Sequence, residues 1–140
     1  MKRLIISTFL GVLSLAATAQ NGSDQSVRIP AYQIDLPAKP IHVFPGDFDP
    51  YKGMYDLSNG GTMKLSASGH RIFATVGERP RTELVKAAHN TFVALDRTLK
   101  MTLDEDTDGI MKGEMLMVLP REAGVASAGG SDVIRMVVSR

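Results

Sequence analysis

An all-β fold of short antiparallel strands follows from three features of this 140-residue sequence. Turn residues recur at short intervals from Tyr51 onward, apolar and polar side chains alternate between them, and no stretch carries an amphipathic helical repeat. The expected strands cover 52–58, 62–67, 70–76, 82–87, 91–95, 98–103, 110–119 and 132–138. Seven or eight strands that share one apolar face must curl to hide it. The expected architecture is therefore a single small antiparallel up-and-down barrel or a curled half-barrel. One long connection, "REAGVASAGGS" over 121–131, is built of small residues and reads as a loop.

The turns set an expected register. With Asn59-Gly60-Gly61 as a three-residue loop, Leu57 faces Met63. With Ser68-Gly69 as a two-residue loop, Ala67 faces His70, Leu65 faces Ile72 and Met63 faces Ala74. An Asp96-Arg97 turn aligns Phe92 with Met101 and Ala94 with Leu99. One face then carries Tyr55, Leu57, Met63, Leu65, Ala67, Ile72, Ala74 and Val76, and the other carries Asp56, Lys64, Ser66 and Arg71. A one-residue slip would reverse every side chain, so a pattern that survives three turns carries weight.

Ahead of the strands stand two segments of different character. "MKRLIISTFLGVLSLAATAQ" has a basic start, an uncharged apolar run and Ala17-Thr18-Ala19, the small-x-small pattern of a secretory cleavage site. Its run from Leu4 to Leu15 falls short of the about 20 residues that a membrane-spanning helix needs. Residues 1–19 are thus expected to be a signal peptide, and the product soluble in the periplasm or secreted. Residues 20–47 hold Pro30, Pro37, Pro40 and Pro45, which favour extended backbone and remove donors. They are expected to form an extended, partly disordered leader, a proline-rich strap, with the barrel-like domain spanning 48–140.

Charge and composition narrow the function. The chain has 16 basic and 15 acidic residues, and losing Lys2 and Arg3 with the signal leaves 14 against 15, a net charge of −1. That balance gives no electrostatic basis for nucleic-acid binding. Without cysteine, the chain has neither disulfides nor a lipid-anchor site at Gln20. An outer-membrane barrel would need an apolar outward band, whereas Lys64, Arg71 and Lys100 fall on the outward positions.

Several groupings invite a chemical reading. Ser66, Ser68 and His70 lie close in sequence, yet the register puts Ser66 on the polar face, Ser68 in a turn and His70 on the apolar face. They form no nucleophile–base pair, and no G-x-S-x-G signature occurs, so no enzyme is expected. "DEDTDG" places Asp104, Asp106 and Asp108 in the spacing that opens a calcium loop. The twelfth position is Met115 instead of a closing carboxylate, so a solvated acidic hairpin is preferred. Met111, Met115 and Met117 share a strand face, which suits copper(I) or, more simply, an adaptable core. His42 in the strap and His89 in "AAHNT" read as surface residues, with the three histidines on separate elements. Arg79 and Arg81 flank a proline turn and read as solvated. No cofactor is expected.

The run F-x-x-Y-x-G-x-Y-x-L-x-N-G, followed by T-E-L-V and F-V-A-x-D, resembles two groups of proteins. These are small exported β-proteins of proteobacteria and the lipocalin-like β-module that follows some serine β-lactamase-like hydrolase domains. The resemblance covers about residues 48–118 and rests on Tyr51, Gly53, Tyr55, Leu57, Asn59, Gly60 and Phe92. It implies an accessory β-barrel and transfers no catalytic residue.

The resulting expectation is an exported, non-catalytic binding or accessory module for a small apolar molecule or a protein partner. Its ligand face would comprise Tyr55, Met63, His70, Met101, Met115 and Met117. The alternative is a small metal-binding protein, using calcium at 104–109 or copper on the methionine face. Leu116, Val118, Val133 and Val137 would form an outward apolar patch on the last two strands. Its expected cover is Ile41, Val43 and Phe44 of the strap, or a second copy of the chain.

Overall fold

The computed structural model describes residues 27–29, 33–119 and 133–140, with side chains for the latter two stretches. The expected signal peptide and the 121–131 connection lie outside the described residues.

Eight strands close into an antiparallel up-and-down barrel, each paired with its sequence neighbour and the last with the first. They are β2 (Gly53–Leu57), β3 (Thr62–Ser68), β4 (Arg71–Val76), β5 (Thr82–Ala88), β6 (Thr91–Ala94), β7 (Leu99–Glu105), β8 (Met111–Val118) and β9 (Val133–Ser139). All eight coincide with the strands expected from the turn pattern. A further short strand, β1 (Val27–Ile29), lies in the leader and was not expected.

Three turns decide the register, and two of them differ from expectation. Tyr55, not Leu57, opposes Met63, because the β2–β3 loop is Ser58-Asn59-Gly60, closed by the Leu57 amide on the Gly61 carbonyl at 2.9 Å. Leu65 opposes Ala74, not Ile72, because Gly69-His70 forms the β3–β4 turn. Gly69 supplies the positive φ (+60°) that the first position of a mirror-image hairpin turn requires. Phe92 opposes Met101 as expected. Both slips are by two residues, so every strand residue keeps its expected face. At the β3–β4 turn His70 moves from the apolar face to an exposed corner, and Ser68 moves from the expected turn into β3.

Alternation carries Tyr55, Leu57, Met63, Leu65, Ile72, Ala74, Leu84, Phe92, Met101, Leu103, Met115 and Met136 into one interior cluster. The pairs Met101–Met115 and Met115–Met136 run side by side across β7, β8 and β9. Gly113 sits in regular register between Leu103 and Val138 on this inward face. A β-carbon there would lie 1.9 Å from the Thr102 carbonyl oxygen, so the glycine marks where two backbones close on each other.

The barrel has three thin seams. β4 and β5 share three paired positions, as do β6 and β7, and β2 and β9 share two, whereas β8 and β9 share seven. The leader adds backbone pairing beside two of them, β2–β9 and β4–β5. β1 pairs with Val133–Arg135, the part of β9 that β2 does not reach. Ile41 donates its amide to the Lys86 carbonyl at 2.8 Å, on the part of β5 that β4 does not reach. The strap is stitched into the sheet.

The expected apolar patch is only partly covered. Val133 is fully buried and Leu116 and Val118 are half-buried, while Val137 stays half-exposed. The strap residues expected to cover it lie elsewhere: Ile41 on β5, Val43 against the interior cluster at the barrel's end, and Phe44 exposed. Ile34 is the fully buried strap side chain, and like Val93 and Val133 it stands apart from the interior cluster.

Gly113→Ala should destabilise the fold by about 3 kcal/mol or more, since the clash is with backbone and not with a movable side chain. Denaturant unfolding of the two proteins measures it. Equal stability would mean that β7 and β8 are farther apart than described.

Candidate functional site

One end of the barrel collects the chemically versatile residues. There the β3–β4, β5–β6 and β7–β8 turns meet the start of β2 and the strap. Phe48 enters the interior cluster, stacked on Tyr51 with ring centroids 5.6 Å apart and edge-on to Phe92 at 5.3 Å. A short 3-10 turn, Asp49–Tyr51, follows and leads directly into β2. Aromatic packing of this kind closes the end of the barrel as a plug.

A polar chain lies over the plug. The Tyr51 hydroxyl donates to Asn90 Oδ1, and Asn90 Nδ2 donates to Asp104 Oδ1 at 2.7 Å. Desolvation, and secondarily the Asp104 charge, raises the Tyr51 pKa above its ordinary value. The Tyr55 hydroxyl donates to the Tyr51 carbonyl at 2.7 Å, and its pKa is raised chiefly by burial. Both phenols therefore stay protonated and act as fixed donors. Asn90 holds a positive φ of 56°, a conformation that asparagine tolerates better than most residues. Sequence reasoning missed Asn90 and Tyr51. The available signal was an asparagine at the end of a strand-to-strand turn, "HNT".

The expected ligand face is brought together with one exception. Tyr55, Met63, Met101, Met115 and Met117 all lie in the interior cluster, but His70 is outside it, at the exposed rim. Met63 and Met115 are 0% exposed and Tyr55 and Met101 are 1%. A void wide enough for one water would leave some of that surface accessible, so these side chains fill their own space. A cavity of about 30 Å³ touches Met117 at the opposite end, enough for a single water. A larger groove, about 240 Å³, lies at the plugged end between the strap and the β3–β4 hairpin. Val43, Phe44 and Phe48 form one wall, Ala67 and Ile72 the other, with Asp49 and Lys52 at its lip.

The acidic loop does not gather its carboxylates. Asp106 Oδ1 accepts the amides of Asp108 and Ile110, both at 2.9 Å, and Oδ2 pairs with Lys112 at 2.6 Å. Asp104 instead faces Asn90. Among the described residues no three histidine or acidic side chains converge as a metal site. Asp106 is thus tied to its own loop amides and to Lys112 while Asp104 turns to Asn90, so the three carboxylates, Asp108 included, do not converge.

The remaining groups form no catalytic arrangement among the described residues. Ser66 and Ser68 lie on β3 and His70 in the following turn, and no hydrogen bond joins them. Arg81 stacks on the Phe73 ring, 3.5 Å from its centroid, while Arg71 pairs with Glu83. Arg79 reaches toward the Val118 carbonyl, so the two arginines of the proline turn do not converge. Among the described residues two carboxylates have displaced pKa values, Glu83 and Asp106, and both are lowered, each first by a hydrogen bond from its basic partner. A general base near neutrality needs the opposite displacement. Among the histidines, the rings of His42 and His70 approach each other, with centroids 5.4 Å apart.

Compared with known families, curated proteins and solved structures, the chain matches none.

Asp106 should titrate below the ordinary aspartate range, because Lys112 and the loop amides favour its charged form. A carboxylate lowered by folding adds stability above its unfolded pKa, and that contribution is lost as pH falls through the lower folded value. Carbon-detected NMR titration reads it directly. Lys112→Met should move the Asp106 midpoint back up, and an unmoved midpoint would remove Lys112 as the cause.

Proposed function

We propose that this protein is an exported, non-catalytic binding or accessory module that works at the plugged rim of its barrel. Its place is the periplasm or the extracellular space, and its target is an apolar side chain presented by a protein partner. The observation that carries this reading is the groove between strap and β3–β4 hairpin, about 240 Å³ in volume. Pockets for drug-sized ligands run to about 300–1,000 Å³, so this one suits a single bulky side chain better than a free metabolite. Phe44 in its wall is exposed, as is Ile41 earlier in the strap, and both add apolar surface for a partner. Lys52 and Asp49, also in the lining, pair with each other and give the groove a polar edge without a net charge.

Two further points support the reading. The outward strand positions carry Lys64, Arg71, Lys112, Glu114 and Arg135, a surface that suits water better than lipid. No helix among the described residues is long and apolar enough to cross a membrane. The accessory lipocalin-like module suggested by the sequence pattern belongs to the same proposal, with recognition moved from the barrel interior to its rim.

A blocked phenylalanine amide is a suitable probe. Titrated into protein with labelled methyl groups, it should shift Ala67 and Ile72 saturably, and Ala67→Phe should abolish the response by filling the groove. Shifts centred on Met101 and Met115 would instead mean that the interior opens to guests. No saturable shift anywhere would remove the rim site.

A further inference from the structure

We propose that His42 and His70 form a two-histidine site for a divalent transition metal, with copper(II) the tightest of the group. The two residues are far apart in sequence and meet because the strap runs past the β3–β4 hairpin. Their ring centroids are 5.4 Å apart and the rings are inclined at 35°. A metal bound to an imidazole nitrogen at about 2.0–2.1 Å lies about 3.2 Å from that ring's centre. Two such rings, at a tetrahedral or square-planar angle about one ion, have centres about 4.5–5.3 Å apart. The observed separation is within a few tenths of an ångström of that range, and binding requires the rings to turn one nitrogen each toward a common point.

Both rings sit on firm backbone. Ile41, next to His42, is bonded to Lys86 on β5, and Phe44 packs edge-on against the His42 ring at 4.7 Å. His70 occupies a two-residue turn flanked by the Ser68–Arg71 pair. Little ordering entropy is then spent on bringing the ligands together. Both side chains are exposed, and neither ring has a hydrogen-bond partner among the described residues, so their nitrogens are free to ligate. Solvent or an exogenous donor completes the coordination. Imidazole nitrogen suits copper, nickel and zinc, and the general affinity order places copper(II) first.

The site joins strap to hairpin. A metal that binds only the folded arrangement raises stability by mass action, so bound copper acts as a clasp on the strap and on one wall of the rim groove.

The test is isothermal titration of the mature protein with copper(II) or zinc(II), paired with thermal unfolding. One equivalent should bind, with a raised melting temperature. His42→Ala and His70→Ala should each weaken binding at least tenfold and abolish the thermal shift. His89→Ala, on the separate β5–β6 turn, should change neither. Electron spin-echo spectroscopy of the copper(II) form should show two equatorial imidazoles, falling to one in either variant. Full affinity in both variants, a signal with no imidazole, or no binding at all would overturn the site.

Discussion

Everything in this barrel depends on β9 being held from both sides. On one flank it pairs with β8 along its whole length. On the other, β2 reaches only its last residues, Val138 and Ser139. An unpaired strand edge leaves backbone donors and acceptors open to water or to another chain. Here β1 takes Val133–Arg135, and Ser58 bonds the backbone of Val137. The same problem recurs on β5, where β4 stops at Ile72–Leu84 and Ile41 supplies the next backbone bond at Lys86. A short strap thus adds pairing at two of the three seams that eight short strands leave thin.

That arrangement bears on function. The interior is filled by methionines whose flexible side chains fit an irregular space, and Gly113 lets β7 and β8 approach closely beside them. The proposed recognition then falls to the places where the strap meets the barrel. The rim groove has one wall from the strap and one from the β3–β4 hairpin, and the histidine pair is divided in the same way. Whatever loosens the strap should therefore disturb both sites together, because each is assembled only when the strap is docked.

Most of the fold was legible because alternation and turn chemistry are local. Tyr55, Leu57, Met63, Leu65, Ile72 and Ala74 announce an apolar face, and glycines at 60 and 69 announce reversals. The exact reversal point was not legible. Two adjacent residues can each serve as turn corner, and Asn59's bond to the Gly61 amide is one of the details that settle the choice. Each misplacement slid a hairpin by two and left the faces intact, except for His70, which moved from strand to turn. The site was less legible than the fold. Asp104, Asp106 and Asp108 have calcium-loop spacing, but Lys112 and Asn90, both contributed from outside the motif, engage the carboxylates. The meeting of His42 with His70 depends on the route of a proline-rich strap, which has no periodic signal to read. β1 escaped notice for the same reason, being three residues ahead of Pro30.

The account rests on the strap being part of the sheet, and amide hydrogen exchange at Ile41 tests that most directly. Its amide donates to the Lys86 carbonyl, and the strap has no other amide that pairs with β5 among the described residues. If the strap closes the seam, Ile41 should exchange far more slowly than the neighbouring exposed turn amides, approaching the protection of the barrel strands. Exchange at the rate of an unstructured peptide, with β5 and β9 still protected, would show that the barrel closes without the strap and would contradict the account.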